Sequence, residues 1–407
     1  MNRTLSPFWL LFILTGLNLF NYLDRFVGSA VLIPIQTEFQ VNDRALGKLN
    51  TIFMIGYFVT SPLFGYLGDR VSRKWLIAAG ILVWSLGTVL TGFAPSFGWL
   101  LFYRILVGVG EASYATIGPS LISDVFPSGK RNVALTVFYV AIPVGSALGY
   151  AIGGIVGQHY GWRNAFIYAG LPGLLLAATL LPFREPAHGQ AEGVVTEKPR
   201  AGDIWKLFRL SDYNMVIGGY TAYTFAMGAF AVWGPAFLQR VYDVPTADAG
   251  TFFGKVLVVA GLFGTFLGGL LATAWQKKNP AGYAWVLFLA VALATPAAGA
   301  AFLASNLRVS MWCLALAMFF VFLSTGPVNT LILETVPVNM RASAMALSIF
   351  VIHLFGDMWS PEIVGLLSDR WVSLRQAVLI LPGALGVAAV VWFILALKMS
   401  RKKSRGH

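Results

Sequence analysis

Long apolar segments alternate with short polar stretches along the whole of this chain. A helix of about 20 apolar residues crosses the hydrocarbon core of a bilayer, so segments of this length predict membrane-spanning helices. We count about twelve such segments, and the pattern therefore predicts an all-α membrane protein. The predicted spans are residues 9–35, 45–67, 75–94, 97–122, 132–157, 164–182, 214–238, 249–275, 282–304, 309–334, 342–367 and 376–397.

The longest polar stretch, residues 184–212, lies between the sixth and seventh spans. It predicts a cytoplasmic linker between an N-terminal six-helix bundle at 1–183 and a C-terminal six-helix bundle at 213–398. A basic cytoplasmic tail follows at 399–407. Within the linker, the sequence WKLFRL is typical of a short amphipathic helix that lies on the inner membrane surface.

The two halves share a short sequence pattern between their fourth and fifth spans. Duplicated six-helix halves with a binding site at their interface are typical of secondary transporters. The pattern therefore predicts two pseudo-symmetric halves and a transport function. The match covers four residues in each half at a constant offset of 210. They are Asp124, Pro127, Arg131 and Ala134 in the first half and Glu334, Pro337, Arg341 and Ala344 in the second.

Composition and charge agree with a membrane protein. Hydrophobic residues make up 57% of the chain and charged residues 11%, against about 25% charged residues in soluble domains. The net charge of +12 does not indicate a nucleic-acid partner, because 19 of the 29 Lys and Arg residues fall on the predicted cytoplasmic side. This asymmetry predicts a multi-pass protein with both termini in the cytoplasm, in contact with membrane lipids. The short chain with minimal tails is typical of a bacterial protein, so we expect it in the bacterial inner membrane. The only cysteine, Cys313, lies in an apolar span and excludes an intrachain disulfide.

Ionisable residues interrupt the first and fourth spans. Asp24 and Arg25 lie in the first, and Arg104 and Glu111 lie in the fourth. Each such charge costs roughly 2.5–3.5 kcal/mol near the bilayer centre, so it persists where it faces a protein interior or a water-filled cavity. Arg104 and Glu111 share a helix face but are separated by about 10 Å of rise. We therefore expect each to find its partner on another helix.

The first span offers a polar face that suits this role. It consists of Asn18, Asn21, Tyr22 and Arg25, which follow helical spacing, with Asp24 beside them. We expect the first and fourth helices to face a shared polar cavity, where a carboxyl such as Glu111 exchanges protons as its surroundings change. A static network that only fixes helix contacts is the alternative for these residues.

A histidine and an aspartate occur four residues apart in the eleventh span. His353 and Asp357 are spaced for contact along one helix. A histidine inside a membrane span serves either as a proton relay or as a satisfied hydrogen-bonding group, and both interpretations stay open.

The loop after the second span reads GYLGDRVSRKW and resembles the G-x-L-x-D-R-x-G-R-[RK] signature of the major facilitator superfamily. Ser72 replaces the usual glycine. In that superfamily the cluster helps to latch the outward-open state, whereas the alternative is a loop with topogenic charges only. The resemblance implies a conformational latch made of Gly65, Asp69, Arg70, Arg73, Lys74, Asp124 and Arg131. Gly145, Gly149 and Gly153 resemble the superfamily's glycine-rich fifth helix, which implies close helix packing.

Longer segments narrow the resemblance to the Spinster family of lysolipid and sphingolipid transporters. They are NYLDR, FGYLGDRVSRKW, RILVGVGEASYATIGPSLISDVF, VFYVAIPVGSALGYAIGG and HLFGDMWSPEIVGLLSD. The resemblance implies a cavity with a charged cluster for a headgroup and an apolar side for a tail. It makes Asp24, Arg25, Arg104 and Glu111 the headgroup and coupling residues. Asn21, Tyr22, His353 and Asp357 complete the predicted site.

Three functions are compatible with these features. The first is a monomeric secondary transporter that moves a lysophospholipid or sphingolipid-like amphiphile by alternating access, with protons as the candidate coupling ion. The second is a proton-coupled multidrug exporter, and the third is a non-transporting membrane receptor. An enzyme is not expected, because GxSxG, HExxH and P-loop motifs do not occur. The four histidines and the lone cysteine do not cluster as metal ligands do, and no cofactor is predicted.

Overall fold

A computed structural model of the protein describes residues 6–68, 70–126, 128–180, 204–337, 340–371 and 373–405. Every regular element in these ranges is a helix. In the first part of the chain the α-helices are α1 Pro7–Ala30, α2 Leu32–Phe39, α3 Asp43–Gly68, α4 Arg73–Thr91, α5 Phe97–Val125, α6 Ser128–Tyr160 and α7 Trp162–Leu180. In the second part they are α8 Ile204–Leu207, α9 Ser211–Tyr242, α10 Thr246–Val259, α11 Thr265–Gln276, α12 Gly282–Leu303, α13 Leu307–Phe322, α14 Thr325–Glu334, α15 Arg341–Ile352, α16 Ser360–Trp371, α17 Leu374–Ala377 and α18 Ile380–Arg405.

Membrane-spanning segments account for most of these helices. Within the described residues, eleven helical segments are long and apolar enough to cross a membrane. Each overlaps one predicted span. The remaining predicted span, 164–182, falls on α7, which is 19 residues long and ends where the described range ends. The prediction of an all-α membrane protein with about twelve spans is confirmed.

Local sequence signals set several helix ends. The Ser6 hydroxyl accepts a hydrogen bond from the Trp9 backbone N–H at 3.4 Å, and Pro7 occupies the first turn of α1. The Asn306 side chain caps α13 in the same way. Gly161, with φ of +86°, makes the turn from α6 to α7, a backbone conformation that side chains with a Cβ disfavour.

Two membrane-spanning helices contain a π-helical turn that the apolar pattern did not predict. One covers Ala260–Gly264 between α10 and α11, and the other covers His353–Asp357 between α15 and α16. In the second turn the Met358 N–H donates to the His353 carbonyl at 3.1 Å, which spans five residues instead of four.

The chain forms two compact units. Unit 1 comprises Met1–Thr196 and Asp243–Lys255, and unit 2 comprises Glu197–Tyr242 and Val256–His407. The predicted boundaries of the bundles, linker and tail stay a prediction. In unit 1, α1 packs on α6, α5 packs on α3 and α4, and α7 packs on α4.

Glycines allow α6 to approach α1 closely. A Cβ added at Gly149 would lie 2.5 Å from the Leu23 carbonyl oxygen, and one at Gly153 would lie 2.7 Å from the Val27 carbonyl oxygen. Gly145 meets the Leu19 carbonyl in the same way. The predicted glycine stripe therefore lies directly against the backbone of the helix that carries Asp24 and Arg25.

Unit 2 is organised around α9 and α18. The Trp392 indole N–H donates to the Val216 carbonyl at 3.2 Å, and the ring lies over Gly219, where a Cβ would clash with it. The Trp233 indole N–H donates to the Pro361 carbonyl at 2.9 Å. These bonds satisfy the polar atoms of large buried aromatics and fix α9 to α18 and α16.

Candidate functional site: a buried polar cluster in unit 1

An ion pair joins the first and fourth predicted spans. The Arg25 Nη2 atom on α1 lies 2.7 Å from the Glu111 Oε2 atom on α5, and the Arg25 Nε atom donates to the same oxygen at 3.2 Å. The Glu111 side chain is fully buried, whereas 22% of the Arg25 side chain is exposed. Glu111 thus takes its partner from another helix, and that partner's side chain is partly exposed.

Asp24 and Arg104 are buried close to this pair. The Asp24 Oδ2 atom accepts a hydrogen bond from the Thr88 hydroxyl on α4 at 3.3 Å. We call Asn21, Asp24, Arg25, Arg104 and Glu111 the polar cluster. The structure brings all five together from α1 and α5, as the sequence predicted, and adds α4 as a third contributing helix through Thr88.

The polar cluster is incompletely hydrogen-bonded within the described part of the chain. Two of its buried atoms have no hydrogen-bond partner there, although buried polar atoms almost always have one. The cluster is therefore arranged to accept further hydrogen-bonding groups, such as water, protons or a ligand headgroup. The atoms are Asp24 Oδ1 and Arg104 Nη1.

A phenylalanine lies close to both arginines. The Arg25 and Arg104 guanidinium carbons each lie 4.9 Å from the centroid of the Phe53 ring on α3. Tyr22 and Tyr57 also place their rings near Arg25, at 4.9 and 5.7 Å. Aromatic faces attract cations at these distances, and they hold two like charges close together in an apolar setting.

Sequence reasoning missed Phe53, Tyr57 and Thr88. The first two follow a four-residue spacing on α3, but aromatic residues are common in membrane spans, so nothing in the sequence singled them out. Asn18 was expected on the same polar face. It instead donates through its side chain to the Phe138 carbonyl on α6 at 2.9 Å and has a packing role.

The His353–Asp357 pair lies in unit 2, within the second π-helical turn. The His353 Nδ1 atom lies 2.9 Å from Asp357 Oδ1 and 3.0 Å from Asp357 Oδ2. Asp357 packs on α9, where a Cβ at Gly228 would clash with it. The structure therefore brings these two residues together, in a unit that does not contain the polar cluster.

The predicted latch has one buried ion pair at its centre. The Arg73 guanidinium at the start of α4 contacts the Asp124 carboxylate near the end of α5, and its Nη1 atom lies 3.4 Å from the Ser120 hydroxyl. Arg73 is almost fully buried, whereas Arg70 is exposed and lies over the Tyr66 ring. A Cβ at Gly65 would meet Thr116 on α5 at 3.7 Å, and Lys74 lies 4.9 Å from the Trp75 ring. Asp69 and the side chain of Arg131 lie outside the described residues.

Metal binding finds no support in the described ranges. They contain no group of three or more His, Cys, Asp or Glu residues that could hold a metal ion. The chemistry available to the polar cluster is therefore that of carboxylates, guanidiniums and their hydrogen bonds.

Known proteins resemble the chain over nearly its whole length. Residues 14–361 match the model of the Major Facilitator Superfamily. Protein spinster of Drosophila melanogaster is 34% identical over 382 residues, which are 89% of this chain and 62% of the fly protein. A sphingosine-1-phosphate transporter of Danio rerio is 33% identical over 375 residues, which are 86% of this chain and 74% of the fish protein.

A solved structure supports the same fold. It is the crystal structure of a bacterial homologue of the human lysosomal transporter Spinster in an inward-facing, unoccupied conformation. The TM-score is 0.88 at 24% identity, and the alignment covers 97% of both chains. The resemblance inferred from the sequence is confirmed. The chain belongs to the major facilitator superfamily of membrane transporters and, within it, to the Spinster family.

Proposed function

We propose that the protein transports a lysophospholipid or sphingolipid-like amphiphile by alternating access, with the polar cluster as its headgroup and coupling site. The observation that carries the proposal is the pair of buried atoms without hydrogen-bond partners, Asp24 Oδ1 and Arg104 Nη1, beside the Arg25–Glu111 ion pair. The sphingosine-1-phosphate named for the Danio rerio relative is a phosphate-bearing amphiphile of this class.

Arg25 is suited to contact a phosphate headgroup. Its side chain is partly exposed, and arginine binds phosphate oxygens through two parallel, charge-assisted hydrogen bonds. Arg104 supplies a second cation, held 4.9 Å from the Phe53 ring. Two guanidiniums beside one aromatic ring suit an anionic group that is attached to an apolar tail.

Glu111 is suited to couple this binding to protons. A phosphate that engages Arg25 competes with Glu111 for the same guanidinium. A buried carboxylate that loses its cation becomes costly in its charged form, so it takes up a proton. Cargo binding and proton binding are thereby linked through one arginine, and Asp24 is a second buried carboxyl beside it.

Other predicted features belong to the same proposal. The Arg73–Asp124 pair, with its neighbours in the loop after α3, serves as the conformational latch between the ends of α4 and α5. His353 and Asp357 take part in coupling from unit 2. The protein works as a monomer in the bacterial inner membrane, with both termini in the cytoplasm.

Transport into proteoliposomes tests the proposal. Labelled lysophospholipid uptake is measured with and without an imposed pH gradient for the native protein, Glu111→Gln, Arg25→Met and Arg104→Ala. We expect the gradient to stimulate native uptake and to have no effect on Glu111→Gln, while both arginine variants lose uptake. Asp248→Asn, which removes an exposed carboxylate in the first turn of α10, is the matched control and keeps native behaviour.

Two outcomes contradict the proposal. If folded native protein takes up no lysophospholipid, it is not an amphiphile carrier of this class. If it transports cationic drugs instead of lysophospholipid, it is a multidrug exporter. If native uptake is unchanged by the gradient, transport is not coupled to protons and the protein is a facilitator.

A further inference from the structure

An apolar groove of about 620 Å³ lies on unit 2, apart from the polar cluster. Its lining comes from α9, α18 and the π-helical turn that carries Phe355. Phe355 and Val387 are more than half exposed along it. The lining includes Gly218, Thr221, Phe355, Gly383 and Val387.

Two glycines keep this groove open. A Cβ added at Gly218 or at Gly383 would meet no atom within 4 Å, so neither glycine is there to allow close helix packing. The Thr221 hydroxyl, the polar side chain in the lining, donates to the Ile217 carbonyl at 2.9 Å. The groove therefore presents hydrocarbon surface with its polar side chain already satisfied, and its position on two membrane-spanning helices sets it at the depth of acyl chains.

The two helices that line the groove, α9 and α18, meet beyond it at a basic corner. On α18, Gly383, Val387, Ile394 and Lys398 recur at helical spacing and share one face. The Lys398 Nζ atom lies 2.8 Å from both the Ser211 hydroxyl and the Asp212 Oδ1 atom at the start of α9. Ser211 and Gly218 are separated by about 10 Å of helical rise, so the groove begins at acyl-chain depth when Ser211 lies at headgroup level.

The corner also carries features of a membrane interface. Leu207 anchors α8 by its buried side chain, while Trp205 and Phe208 are exposed. The side chain of Asn214, on the groove face of α9, donates to the Phe208 carbonyl at 2.6 Å, and the exposed cation Arg209 follows directly. Exposed Trp and Phe beside cations are typical of a surface that contacts lipid headgroups. Lys206 and Arg401 add two further exposed cations.

We propose that the groove and the basic corner together bind one anionic phospholipid of the surrounding bilayer. An acyl chain lies between Phe355, Gly383 and Val387, and the phosphate lies at the corner with Arg209. Charge complementarity selects an anionic headgroup, since each basic residue near the membrane surface favours anionic lipid. This site does not depend on which cargo the polar cluster carries.

Electron paramagnetic resonance of spin-labelled lipids tests the site in the intact protein. The protein is reconstituted in phosphatidylcholine vesicles that contain a trace of phosphatidylglycerol or phosphatidylcholine labelled near the end of one acyl chain. We expect the native protein to restrict the motion of one phosphatidylglycerol per chain. Gly383→Leu fills the groove and abolishes this component. Gly299→Leu, on α12, is the matched control with equally open space around its Cβ, and it keeps the component.

The contact of the lipid headgroup with the basic corner is tested by the lipid preference. Arg209→Gln is expected to reduce the preference for phosphatidylglycerol over phosphatidylcholine about fivefold. An unchanged preference overturns the headgroup assignment. The acyl-chain site is overturned if the fraction of motionally restricted lipid is the same in Gly383→Leu, Gly299→Leu and native protein. It is also overturned if lysophospholipid displaces the bound label, because the groove would then bind the cargo.

Discussion

At the residue scale, the buried ion pair between Arg25 and Glu111 has unequal partners. Glu111 is fully buried, whereas Arg25 retains contact with the outside and with three aromatic rings. Without Arg25, the buried Glu111 carboxylate loses its cation. Without the charge of Glu111, Arg25 still has its partial exposure and its aromatic neighbours. The two partners are therefore expected to differ in what their removal costs.

This asymmetry predicts the order of stability in a mutant cycle. Arg25→Met is expected to lower the free energy of unfolding by about 3 kcal/mol, because it strands a buried charge. Glu111→Gln costs less, and the double variant recovers part of the loss from Arg25→Met. Thermal unfolding of the four proteins in one detergent measures the cycle, and strictly additive losses would contradict it.

The Phe53 ring near the two arginines gives a second prediction. Phe53→Leu keeps an apolar side chain but removes the aromatic face that both guanidiniums contact, so we expect a loss of about 1–2 kcal/mol. Phe53→Tyr keeps that face and is the control. Unfolding temperatures of the two variants are compared, and equal values would mean that Phe53 only fills space.

The polar cluster illustrates what sequence can reveal of a site. Asp24 and Arg104 were identifiable because a charge in an apolar span is conspicuous and costly. Phe53 and Thr88 were not, since their residue types are ordinary in a membrane helix and only the packing of α3 and α4 on α1 and α5 gives them a role. The membrane spans were predictable because the thickness of the hydrocarbon layer sets their length. The π-helical turns were not, because they depend on tertiary contacts such as that of Asp357 with α9.

At the scale of elements, the packing of α1 on α6 depends on backbone contact at glycines. Gly149→Ala places a methyl group 2.5 Å from the Leu23 carbonyl oxygen, so the helices must separate. We expect a loss of about 1–3 kcal/mol. Gly16→Ala, on α1 with open space around the Cβ, is the matched control and causes no loss. Equal unfolding temperatures for the two variants would show that the helices adjust freely.

A second contact between elements has a defined pH dependence. Glu38 at the end of α2 accepts from Arg163 at 2.5 Å and from the Trp162 indole at 2.7 Å, which ties α2 to the start of α7. Burial alone would raise the pKa of Glu38, but the hydrogen bonds from both residues and the charge of Arg163 lower it overall.

A carboxyl with a lowered pKa stabilises the fold above its unfolded pKa of about 4.3 and loses that contribution as pH falls through the folded value. Native protein is therefore expected to unfold at a higher temperature than Glu38→Gln at pH 7, and the difference is expected to shrink below about pH 4. Melting curves across this range measure it, and a constant difference would exclude titration of Glu38 as the cause.

At the scale of the whole molecule, the distribution of positive charge predicts how the chain inserts. The predicted topology puts nineteen Lys and Arg residues on the cytoplasmic side and eight on the opposite side, with two inside the membrane. A fluorescent protein fused at the C-terminus is expected to fluoresce in bacterial cells, whereas an alkaline phosphatase fused there stays inactive. The opposite pattern would place the C-terminus outside and reverse the orientation.

The π-helical turn at His353–Asp357 also bears on ancestry. Its bond from Met358 to His353 encloses one residue more than an α-helical turn, and each residue of an α-helix advances the face by about 100°. The segment from Ser360 onward is therefore rotated by that angle relative to a continuous helix. A single-residue insertion absorbed in place produces this geometry, so relatives with an uninterrupted helix here are expected to be one residue shorter between the positions of Ile352 and Ser360.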